Sequence, residues 1–158
     1  MDYSQIQEDM FKTMFRFRKM NMGRIIDPVS PSEYKMLDIL AGCPGNERTD
    51  KKFLITQLAV ISKVSVPAVS RLLKTMEIKG YICRMLDERD HRSTWVGITE
   101  KGRAVCEECR KALNAFAEKV IRRMDQDQVQ QLIELLNDMF DIMSDELNQL
   151  EGCETESC

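Results

Sequence analysis

Asp87, Glu88, Arg89, Asp90, His91 and Arg92 place six ionisable side chains among the eight residues from Asp87 to Thr94. Apolar "YICRML" and "WVGIT" bracket them on either side. Guanidinium and carboxylate groups this close can pair through two parallel hydrogen bonds and hold one another in position. The cluster reads in one of two ways: a solvated hairpin tip whose exposed ion pairs contribute little, or a tip that keeps its arginines ready for a partner. Metal and triad chemistry have little footing, because His91 is the single histidine, and no metal site or cofactor is expected. His91 itself reads as a phosphate neighbour or a bystander at that tip. Cys106 and Cys109 lie at i, i+3 inside a helical pattern. A redox CxxC instead has its thiolate stabilised at a strand-to-helix junction. Helix packing is therefore their expected role, with a thiol-based redox response as the alternative. None of the seven glycines forms a phosphate-cradling loop, and no nucleophile motif is present, so an enzyme is not expected.

The elements around the cluster decide between its two readings. Ile6, Met10, Met14 and Phe17 recur at helical spacing over roughly Ser4–Met20, with Phe11 and Phe15 beside them. In "SPSEYKMLDILAG", Ser30 is an N-cap, Pro31 fits the first helical position and Glu33 completes a capping box. Tyr34, Leu37 and Leu40 form the buried stripe of that helix, and Gly42, Pro44 and Gly45 end it. "ITQLAVISKVSVPAVSRLLKTMEIKGY" reads as two helices broken near Lys63–Ser65. The first buries Leu58, Ala59 and Ile61. The second takes Ser65 as N-cap and Pro67 in its first turn, buries Val69, Leu72, Leu73 and Met76, and stops at Gly80. Two short helices joined by such a turn make a helix-turn-helix. "YICRML" and "WVGIT" are then the strands of a β-hairpin with the charged cluster at its tip. Helix-turn-helix followed by hairpin is a winged helix. Thr99 caps a further helix with Val105, Cys109, Leu113, Phe116 and Val120 on one face. A last helix starts at Asp125, with Gln128 as its capping partner, and carries Val129, Leu132, Leu136, Met139, Met143, Leu147 and Leu150 near heptad spacing. The fold class expected is mainly α with a small β-hairpin wing.

Charge divides unevenly along the chain. Lys51–Ala104 holds eleven Lys/Arg against five Asp/Glu, a net +6, whereas the remainder carries -9 and the 158-residue chain -3. A basic middle between acidic ends is a local electrostatic footprint that the total conceals. With 43% hydrophobic and 31% charged residues, the composition is that of a globular protein. No apolar run long enough for a membrane span is present, and "MDYSQIQEDMFK" lacks the features of a secretory signal, so a cytoplasmic location is expected. The six cysteines are then expected as thiols.

"LDERDHRSTWVGITEKGR" resembles the wing signature of the MarR family of bacterial transcription regulators: Asp-x-Arg-Asp-x-Arg, a short strand, then Leu/Ile-Thr-x-x-Gly. Asp87, Arg89, Asp90, Arg92, Ile98, Thr99 and Gly102 match it. "LAVISKVSVPAVSRLLKTMEIKGYI" is similar to the family's helix-turn-helix, and the flanking helices fit its dimerisation region. The resemblance implies double-stranded DNA as partner, with Ser65, Pro67, Ala68, Ser70, Arg71 and Lys74 of the recognition helix meeting the major groove. Ala68 departs from the family, which often carries a threonine there. In the wing, Arg89 and Arg92 would reach a minor groove, and Asp90, with Asp87, would hold them in place.

The resemblance further implies a homodimer on a pseudo-palindromic operator, built through Ile6, Met10, Leu136, Met143, Leu147 and Leu150. It implies repression relieved by a small-molecule effector of unknown identity. Eleven methionines fit an adaptable interior, although such methionines are more often plain core filler. The expected organisation is 1–30 for the N-terminal dimerisation helix and linker, 31–100 for the winged helix-turn-helix, 101–151 for the C-terminal dimerisation helices and 152–158 for a disordered tail. A winged-helix dimer that acts through protein interaction without DNA is the alternative from another class.

Overall fold

The computed structural model describes residues 2–42, 52–86 and 94–154, with side chains to 150. The chain divides into two compact units, Met1–Leu113 and Asn114–Cys158.

In the first unit, helix α1 spans Tyr3–Lys19, with Asp2 as N-cap accepting from the Ser4 N–H. A 3-10 turn, Met22–Ile25, leads to α2, Pro31–Ala41. The α2 capping box is formed as its sequence demands: Glu33 N–H donates to Ser30 Oγ at 3.2 Å, and Ser30 N–H donates to Glu33 Oε2 at 2.9 Å. At its other end Gly42 adopts φ +80°, a conformation open to glycine. Met36, Leu37 and Leu40 are buried, and Tyr34 is partly so.

Strand β1 (Phe53–Leu54) enters α3 (Ile55–Ser62), where Leu54 N–H donates to Gln57 Oε1 at 2.9 Å. Lys63 then takes the left-handed conformation, φ 56° and ψ 42°, and closes α3 with its N–H on the last carbonyls. Helix α4 follows at Val66–Ile78. The burial expected of Ile61 is not observed: it is 49% exposed. Ser62 takes the inward position instead, because its hydroxyl is satisfied within the helix by the Leu58 carbonyl at 2.6 Å. In α4, Val69, Leu73 and Met76 are buried, and Leu72 packs only partly against the core.

Strands β2 (Ile82–Leu86) and β3 (Thr94–Ile98) form the expected hairpin, with Ile82 opposite Ile98 and Leu86 opposite Thr94. β1 adds to the free edge of β3, Phe53 opposite Val96 and Leu54 opposite Trp95, giving an antiparallel sheet in the order β1-β3-β2. Val96 on the central strand is fully buried among the side chains of α2, α3 and α4.

Helix α5 (Glu100–Ile121) begins at a tight junction. Thr99 Oγ1 accepts from the Gly102 N–H at 3.0 Å and donates to the Gly80 carbonyl at 2.7 Å. A Cβ on Gly102 would collide with the Tyr81 carbonyl oxygen, which accounts for glycine three residues after the capping threonine. This contact sets the rotation of α5. Of the expected face, Cys109 is buried, Val105 and Leu113 pack against the core and Phe116 is half-buried, whereas Val120 is exposed; Gly102 and Cys106 are buried beside them.

In the second unit, α6 spans Gln126–Glu154. The capping partner differs from the expected Gln128: Asp125 Oδ1 accepts from the Asp127 N–H at 3.0 Å. No helix is long and apolar enough to cross a membrane, among the described residues.

Candidate nucleic-acid interface

α4 displays a stripe opposite its buried face. With Val69, Leu73 and Met76 turned inward, the 3.6-residue period sends Pro67, Arg71, Lys74 and Ile78 outward, and all four are exposed. Ala68 and Ser70 flank the stripe and are half-buried. Five of the six positions read from the sequence, Pro67, Ala68, Ser70, Arg71 and Lys74, therefore fall on or beside one face, and Ser65 stands at the N-cap before it. Neither Arg71 nor Lys74 makes a side-chain hydrogen bond or ion pair among the described residues. Among the described residues, two cations thus project unpaired from a helix already packed on its other side, the charge and exposure that contact with an anion requires.

Ser65 is the N-cap of α4 by position, but its side chain makes no capping bond. The hydroxyl is thus left for another partner, at a helix end where open N–H groups and the helix dipole favour negative charge. Pro67 removes one of those N–H groups and fixes the entry of the first turn.

Arg84, on β2, ties the wing strand to this helix. Its Nη2 donates to the Ser70 carbonyl at 3.1 Å, and its Nε lies 3.3 Å from Glu77 Oε2. Glu77, the one carboxylate of α4, is thereby neutralised. Sequence patterning did not single out Arg84; a basic residue on an inner strand position beside the recognition helix was the available signal. A second tie fixes the C-terminal end of α4. Lys79 Nζ lies 2.7 Å from Glu33 Oε1, and Glu33 is 3% exposed. Burial alone would push the Glu33 carboxyl up, but hydrogen bonds from Lys79 and Ser30 outweigh it and hold the carboxyl below its ordinary value. Lys101 Nζ closes the node by donating to the Lys79 carbonyl at 2.7 Å, with its ammonium 5.4 Å from the Tyr81 ring centre.

Arg89, Asp90, Arg92 and their neighbours Asp87 and His91 lie outside the described residues. The strands that carry this tip are formed on both sides of it. The expected dimerisation residues are placed on two helices: Ile6 and Met10 on α1, and Leu136, Met143, Leu147 and Leu150 on α6, all exposed in the single chain.

The thiols are placed for packing. Cys106 and Cys109 are buried in the α5 stripe. Burial pushes the Cys106 thiol up to about 11, against the pull of Arg110, and raises Cys109 as well. A thiol so protonated is a poor nucleophile. No group of His, Cys, Asp and Glu residues able to hold a metal ion occurs among the described residues.

No protein-family profile matches the chain. In sequence it is 29% identical over 85 residues to the HTH-type transcriptional regulator YwaE of Bacillus subtilis (strain 168), covering 54% of this chain and 50% of that protein. The match thus spans half the length of the curated relative. In structure it is similar to wild-type MarR of E. coli in its apo form, with a TM-score of 0.62 and 19% identity over 88% of this chain and 96% of the other. It is similar to YusO of Bacillus subtilis, with a TM-score of 0.70 and 16% identity over 89% and 99%. It also resembles Streptococcus pneumoniae FabT in complex with DNA, with a TM-score of 0.62 and 22% identity over 91% and 99%. The chain has the winged-helix fold of MarR-type regulators.

Proposed function

We propose that this chain is a sequence-specific, DNA-binding transcriptional regulator that works as a homodimeric repressor and is released from its operator by a small molecule. The observation that carries the reading is the outward stripe of α4, where Arg71 and Lys74 have no side-chain partner among the described residues, on a helix braced by Arg84 and Lys79. The likeness to FabT, solved in complex with DNA, supports the same reading. In this reading α4 enters the major groove. The wing tip, through Arg89 and Arg92 steadied by Asp90, follows the neighbouring minor groove.

Dimerisation follows from what one chain leaves uncovered. α1 has no buried residue, and Leu132, Leu136, Phe140, Met143, Leu147 and Leu150 of α6 are all exposed. Apolar surface of this extent on two helices calls for a partner, and a second copy supplies two recognition helices about one turn of DNA apart. For release, a cleft of about 730 Å³ along Ala41, Ala104, Cys106 and Arg110 has the size of a small-molecule site. An effector works there only by favouring a dimer whose α4 helices no longer match the groove spacing. The high value of the buried Cys106 thiol speaks against redox release through this pair.

Selection of binding sites from random duplexes tests the proposal. Enrichment of a two-fold-related motif is expected. A protein that enriches no motif at low salt acts through another partner, and the interaction-only alternative then takes over.

A further inference from the structure

We infer that α4 reads its operator chiefly through guanine and thymine-methyl contacts, with no bidentate reader of adenine. The inference rests on the DNA-binding reading above and specifies its chemistry.

The surface of α4 supplies a short inventory. Its exposed and half-exposed side chains are Val66, Pro67, Ala68, Ser70, Arg71, Lys74, Thr75, Glu77 and Ile78, beside the half-buried Leu72. In the major groove, adenine is read by a bidentate amide, guanine by arginine or lysine, cytosine by a carboxylate, and the thymine methyl by apolar contact. α4 contains no asparagine or glutamine, so the adenine reader is missing. Its one carboxylate, Glu77, is in the last turn and held by Arg84 at 3.3 Å, so the cytosine reader is occupied. Thr75 turns its hydroxyl back to the Arg71 carbonyl at 3.4 Å.

What remains is sharply divided. Val66, Pro67 and Ala68 present an apolar N-terminal turn, the part of a recognition helix that meets base edges. Val66 is 42% exposed, more than a residue needed for the core would be. One turn further on, Arg71 offers the planar fork that matches guanine O6 and N7. The helix advances about 1.5 Å per residue, so Pro67 and Arg71 are about 6 Å apart along the axis, close to two base steps of about 3.4 Å. The half-site should therefore hold a guanine with thymines within two or three steps of it.

Modified DNA tests this without altering the protein. In the duplex enriched by selection, each thymine is replaced in turn by deoxyuridine, which lacks only the methyl, and each guanine by 7-deazaguanine, which lacks N7. Uracil at the contacted thymines should weaken binding about fourfold each, the worth of one buried methyl. 7-Deazaguanine at one position per half-site should weaken it about tenfold, and Arg71→Ala should abolish that sensitivity. Thymines elsewhere in the same duplex serve as controls. An enriched duplex indifferent to both replacements overturns the inference and leaves DNA binding standing. Failure to enrich any duplex overturns the DNA-binding reading itself, and this one with it.

Discussion

Gly102 is where the wing, the recognition helix and α5 are locked together. Its missing side chain lets the first turn of α5 close on the Tyr81 carbonyl while Thr99 bonds to Gly102 N–H and Gly80 O. Gly102→Ala must displace backbone, so a loss of about 3 kcal/mol is expected in chemical denaturation. A variant as stable as the parent would show that the junction yields at no cost. The Glu33–Lys79 pair makes a prediction about pH. The Glu33 carboxyl is lower in the folded chain than in the unfolded one. Its contribution is thus complete above the ordinary carboxylate value and vanishes as pH falls through the folded one. Lys79 is raised, chiefly by its hydrogen bond to Glu33, so its share is complete below the ordinary lysine value and is lost only as pH climbs past the folded one. Glu33→Gln keeps a capping residue at the third helical position but removes the charge. It should cost about 1 kcal/mol at neutral pH and flatten the fall in stability as pH drops below the ordinary carboxylate value. Thermal melts across this drop in pH check both parts; an unchanged acid limb would mean another carboxylate controls it.

Among the elements, Arg84 connects wing and recognition helix more directly than the sheet does. Arg84→Ala removes the bond to Ser70 O and frees Glu77 on the face of α4. Stability should fall by about 1 kcal/mol, and DNA affinity by more than that, because an unpaired carboxylate then faces phosphate. Equal losses in melting and in anisotropy would reduce Arg84 to a structural tie. The helices and hairpin were legible in the sequence wherever a local rule applied. Ser30 with Glu33, Gly42, Gly80 and Thr99 all end or begin elements by chemistry visible within a few residues. Three features were not legible. β1 is two residues long and exists only because β3, far along the chain, offers Val96 and Trp95 to pair with. On α5 the inward turn of Cys109 and Leu113 was legible, but the burial of Gly102 and Cys106, small side chains that carry a weak apolar signal, follows from the junction with Tyr81. Ser62 is buried in place of Ile61 because a hydroxyl bonded to its own helix can turn inward. Of the site, the α4 stripe followed from helical period and from the family resemblance, whereas Arg84 and the Glu33–Lys79 tie needed tertiary structure to bring them together.

Across the whole molecule, the described residues include surfaces of different chemistry: a cationic stripe on α4 and long apolar faces on α1 and α6. If the apolar faces make the dimer, Leu136→Asp combined with Met143→Asp should yield a monomer in analytical ultracentrifugation and retain helical circular dichroism. Operator affinity should then drop by at least about tenfold as one recognition helix loses its tethered twin. A dimer that persists would move the interface elsewhere. The central claim, that this chain reads DNA sequence through α4, is tested most directly by fluorescence anisotropy on a selected duplex and its scrambled counterpart. The parent and Arg71→Ala/Lys74→Ala are measured at two salt concentrations. Tight, selective binding by the parent is predicted, weakening with salt as counterion release loses its advantage. The double variant should keep its fold, show a shallower salt dependence and lose the preference for the selected duplex. Equal affinity of the parent for both duplexes, or full selectivity in the variant, would contradict the claim.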